Sequence, residues 1–166
     1  MSRVVSAGRT AGLIGAWIGV ATAGAAVGFA TERYVMGRSL RGPDPYADEP
    51  FGSLRGVAHT VLTDDGVPLH VEVDEPAGRA DLTLVFGHGY ALTQDAWHFQ
   101  RRDLRGGKAR LVFWDQRGHG MSGEPPPDSV NLERLGADLG QVLDAVVPRG
   151  PIVLVGHSMG AMTVME

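Results

Sequence analysis

The 166-residue chain has no cysteine, which excludes disulfide bonds, thiolate metal sites and thiol catalysis. Its six histidines lack the close spacing of metal ligands, so no metal site is expected. Lysine and arginine total 15 against 19 acidic residues, without a basic run, and we expect no nucleic-acid partner. What is present is 43% hydrophobic residues, which predicts a folded globular protein.

Charge is also missing from residues 11–30, a stretch that as a helix would span about the 30 Å hydrocarbon core of a bilayer. Arg3 and Arg9 precede it. The pattern predicts a membrane anchor or a secretory signal over residues 1–31, and hence a membrane-associated or exported protein. Seven alanines and five glycines keep the stretch only weakly apolar, and a cytoplasmic protein is the alternative.

Proline and acidic residues recur through residues 32–56, which is typical of an extended linker. The folded region is expected over residues 57–166. Its first two apolar segments flank Asp64-Asp65-Gly66, and the second alternates apolar with polar residues, which predicts an antiparallel hairpin.

Three later segments are continuous apolar runs, typical of parallel strands covered on both faces: residues 82–86, 111–114 and 152–155. Residues 93–105 and 131–147 predict helices between them, and Pro148 ends the second. This alternation of strands and helices predicts an α/β fold with an antiparallel opening hairpin.

The sequence Gly156-His157-Ser158-Met159-Gly160 directly follows the last apolar run. On a tight turn from strand to helix, a serine hydroxyl points away from the backbone, and glycines two residues before and after avoid clashes with the neighbouring chain. Ser158 is therefore predicted to be a catalytic nucleophile, with the Met159 N–H donating to the oxygen of the attacked carbonyl. A glycine-rich turn without a catalytic role is the alternative.

A second amide donor is expected in the loop Phe86-Gly87-His88-Gly89-Tyr90, because one N–H alone stabilises an oxyanion poorly. The Tyr90 N–H is the predicted donor. His88 is predicted to order this loop, with Gly89, by hydrogen bonding.

Three motifs together resemble the α/β-hydrolase family: the His-Gly loop, the Asp-Gln-Arg-Gly-His-Gly-Met-Ser sequence at residues 115–122, and the Gly-His-Ser-Met-Gly elbow. The resemblance covers about residues 57–166. In the second motif, Asp115 and Arg117 are predicted to form a charged pair that fixes the loop beside the pocket. His119 is predicted to order its own turn.

Within that family the chain is similar to the esterase and monoacylglycerol-lipase-like branch. The resemblance implies a cofactor-free reaction on a carboxylic ester, of a lipid or acyl compound, through an acyl-enzyme on Ser158. Epoxide hydrolases and dehalogenases of this fold resemble it less, because they place an aspartate at the serine position. A thioesterase, an acyltransferase and a perhydrolase using the same site stay open.

The family places its catalytic acid and histidine after the serine, but Glu166 is the only ionisable residue that follows Ser158. The chain is therefore expected to be the N-terminal portion of a longer protein, inactive and prone to aggregation on its own. A truncated, non-catalytic module tethered to a membrane is the rival from another class. No oligomeric state is predicted.

A third glycine pattern, Gly118-x-Gly120-x-x-Gly123, matches the fingerprint of dinucleotide-binding turns. That fingerprint must open a helix, and the three prolines at residues 125–127 prevent one here. Nucleotide binding is therefore not expected.

Overall fold

A computed structural model describes residues 45–147 and 150–166. The chain divides between Asp48 and Glu49 into two units, and every strand and helix given below belongs to Glu49–Glu166. The predicted membrane or signal segment at residues 11–30 lies outside the described residues. Within the described ranges, no helix is long and apolar enough to cross a membrane.

Five strands form one mixed sheet in the order β1-β2-β4-β3-β5. The hairpin strands β1 (Val57–Leu62) and β2 (Pro68–Asp74) are antiparallel, and β2 also pairs antiparallel with β4 (Ala109–Trp114). Strand β3 (Leu82–Gly87) is parallel to β4 on one side and to β5 (Ile152–Gly156) on the other. The predicted α/β fold with an antiparallel opening hairpin is confirmed.

The described chain has three α-helices: α1 (His98–Leu104), α2 (Leu132–Val146) and α3 (Met159–Met165). The helix predicted over residues 93–105 begins as a 3-10 turn, Gln94–Trp97, and continues as α1. Helix α2 begins after Asn131, whose side chain accepts the Arg134 N–H at 2.8 Å. This N-cap satisfies one of the amides that a helix start leaves unpaired.

Apolar side chains are buried on both faces of the sheet, which explains the unbroken apolar runs. On one face the strands pack against Leu139, Val142 and other residues of α2. On the other face the rings of Phe86 and Phe113 stack with centroids 4.6 Å apart, next to Trp97.

Strand β5 is the exception, because it forms an edge of the sheet. Ile152, Val153 and Leu154 are all exposed, so the covering of both faces predicted for residues 152–155 is not found among the described residues. Residues 150–166 provide no further strand to pair with β5.

Residues 49–56, which the sequence assigns to the linker, pack against α1. The Gly52 N–H donates to His98 Nδ1 at 3.2 Å, and the Arg101 guanidinium donates to the Leu54 carbonyl at 3.2 Å. The Phe51 ring lies 5.2 Å from the ring of His98. Local composition does not predict these contacts, because they join residues 46 and 47 positions apart. The packed unit therefore begins before residue 57.

Candidate active site

The carboxyl ends of β3, β4 and β5 meet at one edge of the sheet because the three strands are parallel. The segments that follow these strands carry all three predicted motifs. Crevices at this edge are where open α/β sheets bind ligands.

Ser158 lies between β5 and α3 with φ 52° and ψ −117°, a backbone conformation that few residues other than glycine adopt. At the glycines two residues before and two residues after Ser158, the surrounding backbone leaves no room for a side chain. A Cβ on Gly160 would overlap the Gly87 carbonyl, and a Cβ on Gly156 would overlap the backbone of Ala161. Neither elbow position has space for a Cβ, and Ser158 itself is exposed.

The His88 ring is hydrogen-bonded to the loop after β3 and to the segment after β4. The ring is fully buried, and Nε2 accepts the Gln116 N–H at 2.9 Å. The ring hydrogen must then be on Nδ1, which lies 2.8 Å from the Gly89 carbonyl. Burial lowers the pKa of His88, so the neutral ring that this arrangement needs is also the favoured form.

His119 connects this loop to its own turn. Its Nε2 accepts the Ala91 N–H at 3.3 Å, and its Nδ1 lies 3.0 Å from the Arg117 carbonyl. The Tyr90 ring meets the His119 ring edge-on, with centroids 5.8 Å apart. The segment around Tyr90 is therefore held from both ends, by His88 and by His119.

Ser158, Met159 and Tyr90 line one pocket of about 450 Å³. The rest of its lining is mostly apolar: Val130, Asn131, Leu132, Leu135 and Met162. Leu132, the first residue of α2, borders this pocket and is exposed. The lining groups that have no hydrogen-bond partner among residues 45–147 and 150–166 include the Ser158 hydroxyl, the Met159 N–H and the Tyr90 N–H.

The predicted pair between Asp115 and Arg117 does not form within the described chain. Asp115 accepts the backbone N–H groups of Gln94, at 2.7 Å, and Met121, at 2.9 Å, so its carboxylate ties two loops together. A Cβ on Gly120 would collide with this carboxylate, which explains the glycine there. The partners of Asp115 are therefore backbone amides rather than Arg117.

Arg117 belongs to a different group of charges, the Arg117 cluster, which consists of Arg117, Asp138, Asp65 and Arg134. The fully buried Arg117 guanidinium donates to Asp138 at 2.6 Å and to Asp65 at 2.8 Å. Arg134 also donates to Asp138, at 2.9 Å. Hydrogen bonding to Asp138 raises the pKa of Arg117, and hydrogen bonding to Arg117 lowers the pKa of Asp65. Asp138, buried on α2, was missed by the sequence analysis.

No group of histidine, aspartate and glutamate in the described ranges is arranged to hold a metal ion. The turn at Gly118-x-Gly120-x-x-Gly123 is followed by a loop rather than a helix, and the Gly118 N–H donates to the Gly123 carbonyl. That backbone bond closes the turn on itself.

A family model described as the alpha/beta hydrolase family matches residues 84–166, half of the chain. The chain belongs to the alpha/beta hydrolase family. The matched residues run from β3 through α3, so they contain the loop of His88 and Tyr90, the Asp115 loop and the Ser158 elbow.

Known members similar to this alpha/beta hydrolase chain differ in their named chemistry. A non-heme chloroperoxidase from Streptomyces lividans is 34% identical over 101 residues, which are 61% of this chain and 35% of that protein. Epoxide hydrolase B from Mycobacterium tuberculosis is 31% identical over 104 residues, 62% of this chain and 29% of that protein. The solved structure of a hydrolase from Pseudomonas aeruginosa PA01 has a TM-score of 0.56 and 31% identity, covering 65% of this chain and 39% of that one. This chain thus spans about a third of the length of the curated relatives it matches.

Proposed function

We propose that this alpha/beta hydrolase cleaves carboxylic esters, of an acyl or lipid substrate, through an acyl-enzyme on Ser158. The observation that carries the proposal is the set of three unpartnered polar groups on one pocket: the Ser158 hydroxyl and the N–H groups of Met159 and Tyr90. Ser158 and Tyr90 are exposed, so a ligand can reach these groups, and polar groups that converge on a mostly apolar pocket are suited to orienting a substrate.

In the proposed reaction, the Ser158 Oγ attacks the ester carbonyl while its proton passes to a general base. The carbonyl oxygen becomes an oxyanion that accepts the N–H groups of Tyr90 and Met159. Collapse of this intermediate breaks the bond to the alcohol, which leaves with the proton. Water then cleaves the acyl-enzyme by the same sequence, releasing the acid and restoring the serine. The resemblance places the acid and the histidine base after Ser158.

The apolar lining of the pocket supports the acyl or lipid character of the substrate. Leu132, Leu135 and Met162 would contact the chain of a bound acyl group, because each borders the same pocket as Ser158. Ester hydrolysis should therefore rise from p-nitrophenyl acetate to p-nitrophenyl octanoate. A preference for acetate would contradict this part of the proposal.

The decisive experiment is labelling with a fluorophosphonate probe, measured on the protein as its natural host produces it. We expect labelling of the wild type and none of Ser158→Ala. Ser53→Ala is the matched control, since Ser53 is exposed and does not border the pocket. A folded wild-type protein that is not labelled at Ser158 would favour the non-catalytic module instead.

One comparison favours a second candidate at the same site. Because the Streptomyces lividans relative is named a chloroperoxidase, hydrogen peroxide is an alternative acceptor for the acyl group. Attack of peroxide on the acyl-enzyme would release a peracid in place of the acid, with no redox change at the protein. Halogenation of monochlorodimedone in the presence of acetate, peroxide and bromide, abolished by Ser158→Ala, would support it.

We also propose that residues 11–30 attach this protein to a membrane or direct its export. This proposal is supported by the length of the stretch, 20 residues, and by its lack of charged side chains. Extraction of the intact protein should require detergent if they are an anchor, whereas a shortened protein outside the cytoplasm indicates a cleaved signal. An intact protein that is soluble in the cytoplasm would contradict both.

A further inference from the structure

Gln116 is a fully buried residue with no role assigned by the motifs or the relatives. Its backbone N–H donates to His88 Nε2 at 2.9 Å, and its side-chain amide donates to the His88 carbonyl at 2.6 Å. Its Oε1 lies 2.9 Å from the Thr163 hydroxyl oxygen. One side chain therefore joins the loop after β3 to helix α3.

The surroundings determine which end of the Gln116 amide faces which partner. A backbone carbonyl can only accept, so the amide nitrogen must face the His88 carbonyl. The hydroxyl of Thr163 can donate, and it therefore matches the amide oxygen. Gln116 and Thr163 are 0% and 1% exposed. Removal of the Thr163 hydroxyl would leave the buried Gln116 amide oxygen without its donor, whereas removal of Gln116 would leave the hydroxyl only the Met159 carbonyl as an acceptor.

Both ends of this link lie next to the unpartnered amides of the pocket. His88 precedes Tyr90 by two residues on the same short loop. Thr163 lies one helical turn after Met159, and its hydroxyl is also 3.0 Å from the Met159 carbonyl. Two N–H groups stabilise one oxyanion only if both reach it, so the spacing between these segments matters.

We propose that Gln116 is a positioning residue that holds the Tyr90 and Met159 N–H groups at the spacing that one oxyanion requires. The inference rests on the proposed hydrolase function, because the oxyanion is part of that reaction. Gln116 does not border the pocket, and it acts through His88 and Thr163.

A backbone contact is a competing explanation for the spacing between the loop after β3 and helix α3. Gly160 packs against the carbonyl of Gly87 so closely that no side chain fits between them. If this contact alone sets the spacing, Gln116 only satisfies buried polar groups, and its loss would lower stability without a specific effect at the site.

The test compares Gln116→Leu and Thr163→Val with Thr63→Val as the matched control. Thr63 is also buried, at 4% exposed, and its hydroxyl bonds to Asp65 and Val67 in the hairpin turn rather than to the site. Hydrogen exchange is followed by mass spectrometry well below the unfolding temperature. We expect faster exchange in both residues 87–92 and 157–165 for the two link variants, and in neither for the control.

Kinetics on ester substrates supply the second readout. Loss of one oxyanion donor costs about 100- to 1,000-fold in kcat, so a misplaced pair should cost about tenfold or more. We expect kcat to fall in both link variants with KM changed less than about threefold, because the contacts affected are made in the transition state. The double variant should be no slower than Gln116→Leu, since both changes break one link. Thr163→Ser, which keeps the hydroxyl, should restore kcat.

The proposal is overturned if exchange increases in only one segment, or if Thr63→Val lowers kcat as much as Thr163→Val does. A wild-type protein that neither labels nor hydrolyses esters would instead remove the proposed function. In that case the exchange data still decide whether Gln116 couples the two segments.

Discussion

Arg117 follows β4 and the Ser158 elbow follows β5, the two strands that flank β3. The Arg117 cluster and the elbow differ in whether their polar groups are paired. The cluster pairs the fully buried Arg117 with two carboxylates, Asp65 and Asp138. The elbow leaves the Ser158 hydroxyl and the Met159 N–H without a partner in the described chain. The difference separates charged residues that hold the fold together from polar groups that stay available to a ligand. In this molecule, charge alone is therefore a poor guide to the groups of the candidate site.

The largest effect on stability is expected from Arg117→Met. This change leaves Asp138 buried with only Arg134 to pair with it, and breaking a buried pair costs about 3–5 kcal/mol of unfolding free energy. Denaturant unfolding measures the change. Arg134→Met is the control, because Arg134 is partly exposed and its loss should cost about 1 kcal/mol or less. Equal losses from the two variants would contradict the distinction between them.

Gly160→Ala is expected to lower the free energy of unfolding less than Arg117→Met does, and to disturb the candidate site more. The added Cβ overlaps the Gly87 carbonyl, and overpacking of this kind costs about 1–3 kcal/mol. Fluorophosphonate labelling of Ser158 should fall as well, because the loop and the helix must separate. Gly140→Ala is the matched control: Gly140 is an exposed position of α2 with open space around it. There alanine should stabilise the helix by up to about 1 kcal/mol. Undiminished labelling of Gly160→Ala would show that the tight contact is dispensable.

The smallest effect is the pH dependence of Asp65→Asn. Hydrogen bonding to Arg117 lowers the pKa of Asp65 in the folded protein. The ionised carboxylate therefore stabilises the fold when the pH is above the unfolded-state pKa of about 3.9. That contribution is lost as the pH falls toward the folded pKa. We therefore expect Asp65→Asn to unfold at a lower temperature than wild type at pH 7, with a difference that narrows below about pH 4. Asp81→Asn, at an exposed position, should show no such convergence.

The strands and the elbow were predictable because their signals are local. A continuous apolar run indicates a strand, and the spacing of Gly156, Ser158 and Gly160 indicates a crowded turn. Each of these features depends on residues within a few positions of one another, so it can be recognised from the sequence alone.

The partners of charged residues were not predictable in the same way. Asp115 and Arg117 stand two positions apart, yet the partners of Arg117 lie 21 and 52 residues away. Burial of Asp138 on the apolar side of α2 depends on that distant guanidinium, and its partner within the helix, Arg134, does not by itself indicate burial. The role of Gln116 has the same origin, because its side chain bonds to Thr163, 47 residues away.

The backbone of Ser158 has φ 52°, a conformation that glycine adopts without strain and that serine does not. Selection of variants for thermal resistance alone would therefore favour glycine at this position and discard the hydroxyl. A directed-evolution campaign on this protein should score chemical reactivity in every round, since its most heat-resistant clones are expected to be its least reactive ones.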